Sequence, residues 1–151
     1  MMMAKSRRTE QVDQVTWTSP LRIRFNEVDS LGIVWHGHYI SYFEDGRESF
    51  GIEHGMSYLD IHGHGYTTPI VKSTCEHKLP LKYGDHARIE TSLLDTKAAK
   101  IIYRYRILND NNQVVCLGET IQVFLDSSGI LQLYTPEFFQ QWKNQLDFVG
   151  K

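Results

Sequence analysis

Residues 15 to 25 read VTWTSPLRIRF, and Leu21, Ile23 and Phe25 alternate with Arg22 and Arg24. A period of two marks a strand with one buried face, so this segment is expected to be the first strand. Asn26 to Gly32 supplies turn formers, after which the period lengthens. Tyr39, Phe43, Gly46 and Phe50 are spaced by four, three and four, one face of a helix. Gly51 and Gly55 bracket its expected end. Ile40 and Tyr42 add apolar bulk beside that face, which predicts a central helix covered on more than one side.

Ile61-His62-Gly63-His64-Gly65 reads as a mobile loop, and the chain beyond it is mostly strand text broken by turn clusters. Strands are expected over residues 68–79, 86–94, 100–108 and 114–125. Lys82-Tyr83-Gly84-Asp85 and Asn109-Asp110-Asn111-Asn112 are the expected turns between them. Pro136-Glu137-Phe138-Phe139 opens a short terminal helix that carries Phe138, Phe139 and Trp142. The order strand, helix, four strands predicts an α+β fold: an antiparallel sheet of about five strands around one central helix, with a short C-terminal helix. The expected organisation is a polar tail over residues 1–14 and one domain over 15–147. Ile102 and Leu108 oppose Tyr103 and Ile107, so both sheet faces are expected to be apolar and a second copy of the chain is the simplest cover for the outer one.

Composition narrows the function. The chain has 151 residues, 16 Lys+Arg against 18 Asp+Glu and a formal net charge of -2, which gives no field suited to a polyanion. Tyr103 and Tyr105 fall on the strand face opposite Arg104 and Arg106, so nucleic-acid binding is not expected. No apolar run approaches the roughly 20 residues of a bilayer-spanning helix. The basic start runs into Thr9-Glu10-Gln11-Val12-Asp13-Gln14 where a secretory signal would place its apolar region. Cys75 and Cys116, without a CxxC pair, read as two buried thiols of a reducing compartment. The expected location is the cytoplasm.

Candidate chemistry gathers between the first strand and the helix. There Asp29 precedes a tight turn and a helix N-terminus near His36 and Gly37. Unpaired N–H groups at such a terminus hold a carbonyl oxygen as it becomes an oxyanion. Asp29 is placed to attack the carbon or to activate a water. A thioester asks least of this arrangement, because a thiolate whose acid has a pKa of roughly 8.5 leaves without strong acid assistance. The competing reading is that Asp29 only makes an Asx turn with Ser30.

The run EVDSLGIVWHGHYISYFEDGRESF resembles the signature of hotdog-fold acyl-CoA thioesterases of the 4-hydroxybenzoyl-CoA thioesterase type, in which D-x-x-G-x-V leads into the helix. Leu79-Pro80-Leu81-Lys82-Tyr83-Gly84-Asp85 resembles the family's second landmark, a P-x-x-Y-G-D turn. The likeness covers residues 21–125. It implies a helix wrapped by its sheet, Asp29 as the catalytic carboxylate, and a backbone amide around His36 that polarises the thioester carbonyl. It also implies acyl-CoA as substrate, no metal or organic cofactor, and homodimers or homotetramers with active sites at subunit interfaces. Where the family usually has Asn before the helical Tyr, this chain has His38, a hydrogen-bonding side chain that also titrates.

A sister lineage of hotdog thioesterases carries its carboxylate on the helix, where Glu44 or Asp45 would stand in. A dehydratase of this fold would use His38 with Glu44, and a non-hydrolytic acyl-thioester binder is the remaining alternative. Lys72, Lys78, Lys82 and Arg47 are the candidate contacts for the CoA phosphates. The pairs His36-x-His38 and His62-x-His64 lack the Cys or carboxylate partners of a zinc site, so no metal is expected there. Trp35, Tyr39, Tyr58 and Tyr66 are candidate pocket aromatics.

Overall fold

A computed structural model describes residues 12–149. The first eleven residues of the expected tail lie outside that range. Five strands form one antiparallel sheet: β1 (Gln14–Arg22), β2 (Ile70–His77), β3 (His86–Leu94), β4 (Lys100–Asn109) and β5 (Val114–Val123), in the order β1-β3-β4-β5-β2. Three α-helices accompany it, α1 (His38–His54), α2 (Tyr58–Gly63) and α3 (Glu137–Asn144). This is the hotdog arrangement. The chain leaves β1 at one edge of the sheet, runs through α1 across its inner face, and re-enters as β2 at the other edge.

The helical period places the core. Tyr39, Tyr42, Phe43, Gly46 and Phe50 are buried on α1, facing Ile89, Tyr103, Tyr105 and Ile107 of β3 and β4. Ile40 remains exposed, so the cover is less complete than its apolar neighbours suggest. Two glycines let helix and sheet approach. A Cβ on Gly46 would meet Thr91 Oγ1, and one on Gly118 of β5 would fall within the Phe43 ring. The Phe43 ring lies flat on Tyr105, centroids 4.4 Å apart, and Tyr105 is the register partner of Gly118. α1 ends at Gly55, whose φ of 77° is the left-handed cap that glycine adopts without strain.

The structure corrects three expectations. The first strand stops at Arg22 rather than running to Phe25. The Glu27 carboxylate accepts the Arg24 N–H at 2.6 Å and the Glu27 N–H donates to Arg24 O. This local bonding competes with the ladder, winds Phe25–Glu27 into a 3-10 turn and leaves Phe25 76% exposed. The stretch expected as a mobile loop is largely α2, started by a reciprocal cap: Asp60 N–H donates to Ser57 Oγ and Ser57 N–H to Asp60 Oδ2. His64 then stacks on Phe138 at 4.1 Å. The outer sheet face is not uniformly apolar either. Arg104 pairs with Glu119 at 2.9 Å and Arg106 with Glu90 at 2.7 Å across the middle of it, while Leu108 is buried.

Pro136 caps α3 as expected. The Trp142 indole N–H donates to His54 O at 2.7 Å, pinning α3 to the end of α1. Among the described residues no helix is long and apolar enough to cross a membrane.

Candidate active site

Asp29 sits at the head of a tight hairpin. Its N–H donates to Ile33 O, Gly32 N–H donates back to Asp29 O, and Val28 pairs with Val34. Gly32 has a φ of 75°, the left-handed conformation that closes such a turn. Asp29 Oδ1 accepts the Leu31 N–H at 2.8 Å, so the Asx turn does form. It engages one carboxylate oxygen, and Oδ2 has no protein partner among the described residues. The turn and the chemical role are therefore compatible, because the turn leaves the second oxygen without a protein partner among the described residues.

The two sequence landmarks meet in space. Val34 N–H donates to Leu81 O at 2.8 Å and Ile33 bridges to Lys82. The second landmark is itself a closed turn, with Lys82 N–H on Asp85 Oδ2 and Asp85 N–H on Lys82 O; Gly84 there has a φ of 87°. Between them lies an open cleft of about 290 Å³, lined by Asp29, Ile33, Val34, His36, Tyr39, His77, Lys78, Leu79 and Pro80.

The helix start supplies donors. The Trp35 N–H is engaged by Glu27 O and that of His38 by Trp35 O. The N–H groups of His36 and Gly37 have no acceptor among the described residues, and His36 lines the cleft. Gly37 is the N-cap of α1, but it does not line the cleft: a Cβ there would sit within the half-exposed Trp35 indole. The His38 ring lies 5.6 Å from that indole and is likewise outside the cleft lining. Burial of the Tyr39 phenol pushes its pKa up, against a hydrogen bond to the Leu81 backbone that lowers it. It remains a neutral wall of the cleft.

The remaining candidates are spread out. Lys78 lines the cleft and pairs with Glu76 at 2.6 Å, Lys82 is exposed on the landmark turn, and Lys72 is exposed on β2. Arg47 lies elsewhere, with Nη1 donating to Tyr105 OH at 3.1 Å. It lines a second, larger cavity of about 520 Å³ with Glu44, Tyr58 and, from α3, Phe139 and Trp142. Asp45 does not line the cleft, and burial pushes its carboxyl pKa up. Tyr66 packs near Phe138.

Sequence reading missed His77. Its ring meets Tyr39 edge-on at 4.7 Å and lies 6.5 Å from His36. It also stands with Cys75 and Cys116 in a cluster whose donor atoms all lie within 4.8 Å of one another. The signal was the spacing Cys75-Glu76-His77, which puts a thiol and an imidazole on the same strand face.

A five-stranded sheet around one helix, with Asp29 and His36 of the helix start lining one cleft, is the hotdog architecture. Residues 23–143 match the thioesterase-like superfamily, and the chain belongs to it. A putative acyl-CoA thioesterase of Bacillus subtilis, YneP, is 27% identical over 131 residues, covering 87% of this chain and 95% of that protein. The acyl-CoA thioester hydrolase YbgC of Escherichia coli is 23% identical over 107 residues, 71% of this chain and 80% of its own length. Among solved structures, a DHNA-CoA thioesterase from Staphylococcus aureus superposes with a TM-score of 0.78 at 21% identity, over 85% of this chain and 87% of that one. A 4-hydroxybenzoyl-CoA thioesterase mutant complexed with 4-hydroxybenzoyl-CoA gives 0.73 at 22% identity, over 84% and 97%. The protein is thus an enzyme of a thioester-hydrolase family.

Proposed function

We propose that the chain hydrolyses an acyl-CoA thioester to the free carboxylic acid and CoA at the Asp29 cleft. One observation carries the reading: a carboxylate with one oxygen held by its own turn shares a cleft with His36, and the His36 and Gly37 amides at the start of α1 have no protein acceptor among the described residues. The thioester carbonyl oxygen accepts from the His36 amide, the one of the two whose residue lines the cleft, and the dipole of α1 favours the negative charge that develops on it. Asp29 Oδ2 then attacks the carbonyl carbon as nucleophile, or takes a proton from a water that attacks. Either way the C–S bond breaks, the CoA sulfur leaves as thiolate, and one water is consumed per acid released. His38 stands beside the Trp35 indole and hydrogen-bonds water or substrate at the rim. A binder without hydrolysis would need the same amides but not the free carboxylate oxygen, which favours the enzyme.

Lys78 and Lys82, at the cleft and on its landmark turn, are the first contacts proposed for the CoA phosphates, with Lys72 and Arg47 farther off. No resident metal or organic cofactor enters these steps. The working unit is a single domain over residues 15–147, assembled at least as a dimer in the cytoplasm. Two features support assembly: the cleft of about 290 Å³ is too open to enclose an acyl group, and β2 is an edge strand on which only Cys75 is even half-buried. A panel of acyl-CoAs, with CoA release followed by a thiol reagent, tests the reading. Turnover with at least one of them is expected; binding without CoA release would refute hydrolysis. Label found in the Asp29 carboxylate after single turnover in 18O-water identifies the nucleophile, since it enters only when water opens an Asp29–acyl anhydride at the Asp carbonyl.

A further inference from the structure

We infer that Cys75, His77 and Cys116 form a binding site for one thiophilic metal ion of the zinc(II) class. The inference stands apart from the thioesterase reading, because none of the three takes part in the proposed chemistry. Cys75 and His77 are two residues apart on β2 and leave the same strand face. The register sets Cys116 of β5 opposite His77 and Gly118 opposite Cys75. Gly118 faces the Phe43 ring of α1, so all three donors lie on the inner face of the sheet, beneath the first turns of the helix.

Their spacing suits a shared ion. Cys75 Sγ lies 3.5 Å from His77 Nε2 and 3.2 Å from Cys116 Sγ. Tetrahedral zinc with Zn–S of about 2.3 Å and Zn–N of about 2.0 Å requires S···N edges of about 3.5 Å and S···S edges of about 3.8 Å. The Cys75–His77 edge is already met, the sulfurs must part by about 0.6 Å, and Cys116 Sγ and the His77 donor nitrogen, within 4.8 Å of each other, must settle at about 3.5 Å, adjustments of side-chain rotation. A disulfide would instead need them to close by about 1.2 Å between diagonal rather than directly opposed strand positions, and it would leave His77 without a role. Binding releases two protons, and the neutral imidazole completes three ligands. Water takes the fourth position. Since His77 also lines the Asp29 cleft against Tyr39, the bound ion would fix that wall.

The test is titration of the reduced full-length protein with cobalt(II), followed by displacement with zinc(II). One equivalent should produce thiolate-to-cobalt charge transfer and tetrahedral visible bands, both erased by zinc. Cys116 is buried, so Cys116→Ala risks the fold, and Cys75→Ser and His77→Gln at the more accessible positions carry the comparison. Loss of either ligand should weaken binding by more than about 100-fold, the upper end of what losing a mere outer-shell partner costs. No stoichiometric binding by the parent, binding without charge-transfer bands, or a site that survives Cys75→Ser and His77→Gln unchanged would each overturn the inference. Acyl-CoA turnover does not enter this readout, so its failure and that of the thioesterase reading are distinguishable.

Discussion

Gly118→Ala probes the contact that sets how closely the sheet wraps α1. The added Cβ falls within the fully buried Phe43 ring, which is itself stacked on Tyr105. Neither ring has free space, so the helix must lift or Phe43 must leave its rotamer, an overpacking cost of about 1–3 kcal/mol. Against this, Ala loses less backbone entropy on folding than Gly, which returns about 0.4–1 kcal/mol. The net loss of about 0–2.6 kcal/mol lowers Tm by up to about 10 °C for a chain of this length. Phe43 lies five residues into α1 from His38, about 7.5 Å along the axis. A lifted helix therefore carries the His36 and Gly37 amides with it, and misplacement by an ångström costs on the order of 100-fold in rate. Calorimetry and kcat/KM on the same preparation read both effects, and adding Phe43→Leu should recover part of each. A Tm above the parent's together with unchanged kcat/KM would refute the close-approach reasoning.

Further outcomes concern the site and its supports. Asp60→Asn should lower Tm at neutral pH. The Ser57 backbone N–H and hydroxyl hold the Asp60 pKa below its ordinary value, so its contribution is present above the unfolded-state pKa and fades as pH falls through the folded one; the gap between variant and parent should therefore close in acid, and a constant gap would contradict it. Charge reversal at Lys78 or Lys82 should raise KM with little change in kcat, as expected for lost uniform binding; an unchanged KM at both would exclude that path for CoA. Sedimentation should show at least a dimer at assay concentration, with activity falling on dilution; a fully active monomer would refute assembly at the cleft.

The periodic elements were legible because a single physical cause sets each one. The alternation of β3 and β4 and the four-three-four spacing of α1 report burial on one face, and both sets of bounds agree with the structure within one or two residues. The misses are places where a side chain competes with the pattern. The Glu27 carboxylate pulls Arg24 out of the strand, and the Ser57–Asp60 cap starts a helix that the glycines of residues 61–65 disguised. The arginines of β4 were placed on the face opposite Tyr103 and Tyr105, yet that face was expected to be apolar, because the Glu90 and Glu119 that pair with them lie on other strands. Asp29 and the helix start were legible from a contiguous motif. His77 was not: the Cys75-Glu76-His77 spacing sets it on one strand face with Cys75, but its place at the cleft comes through sheet register and the Tyr39 ring, which local sequence does not show.

Parallel turnover measurements on Asp29→Asn, Glu44→Gln and Asp45→Asn test the central claim most directly. The amide oxygen introduced by Asp29→Asn can keep the Leu31 N–H bond that Oδ1 makes, so the variant should retain parent-like Tm and circular dichroism. It offers neither a nucleophilic oxygen nor a base, and kcat with the best acyl-CoA should fall by about 10³–10⁴-fold, or about 4–5.5 kcal/mol. The two helix variants should stay near the parent. Parent-like turnover in folded Asp29→Asn, together with collapse in Glu44→Gln or Asp45→Asn, would move the chemistry onto α1 and contradict the account.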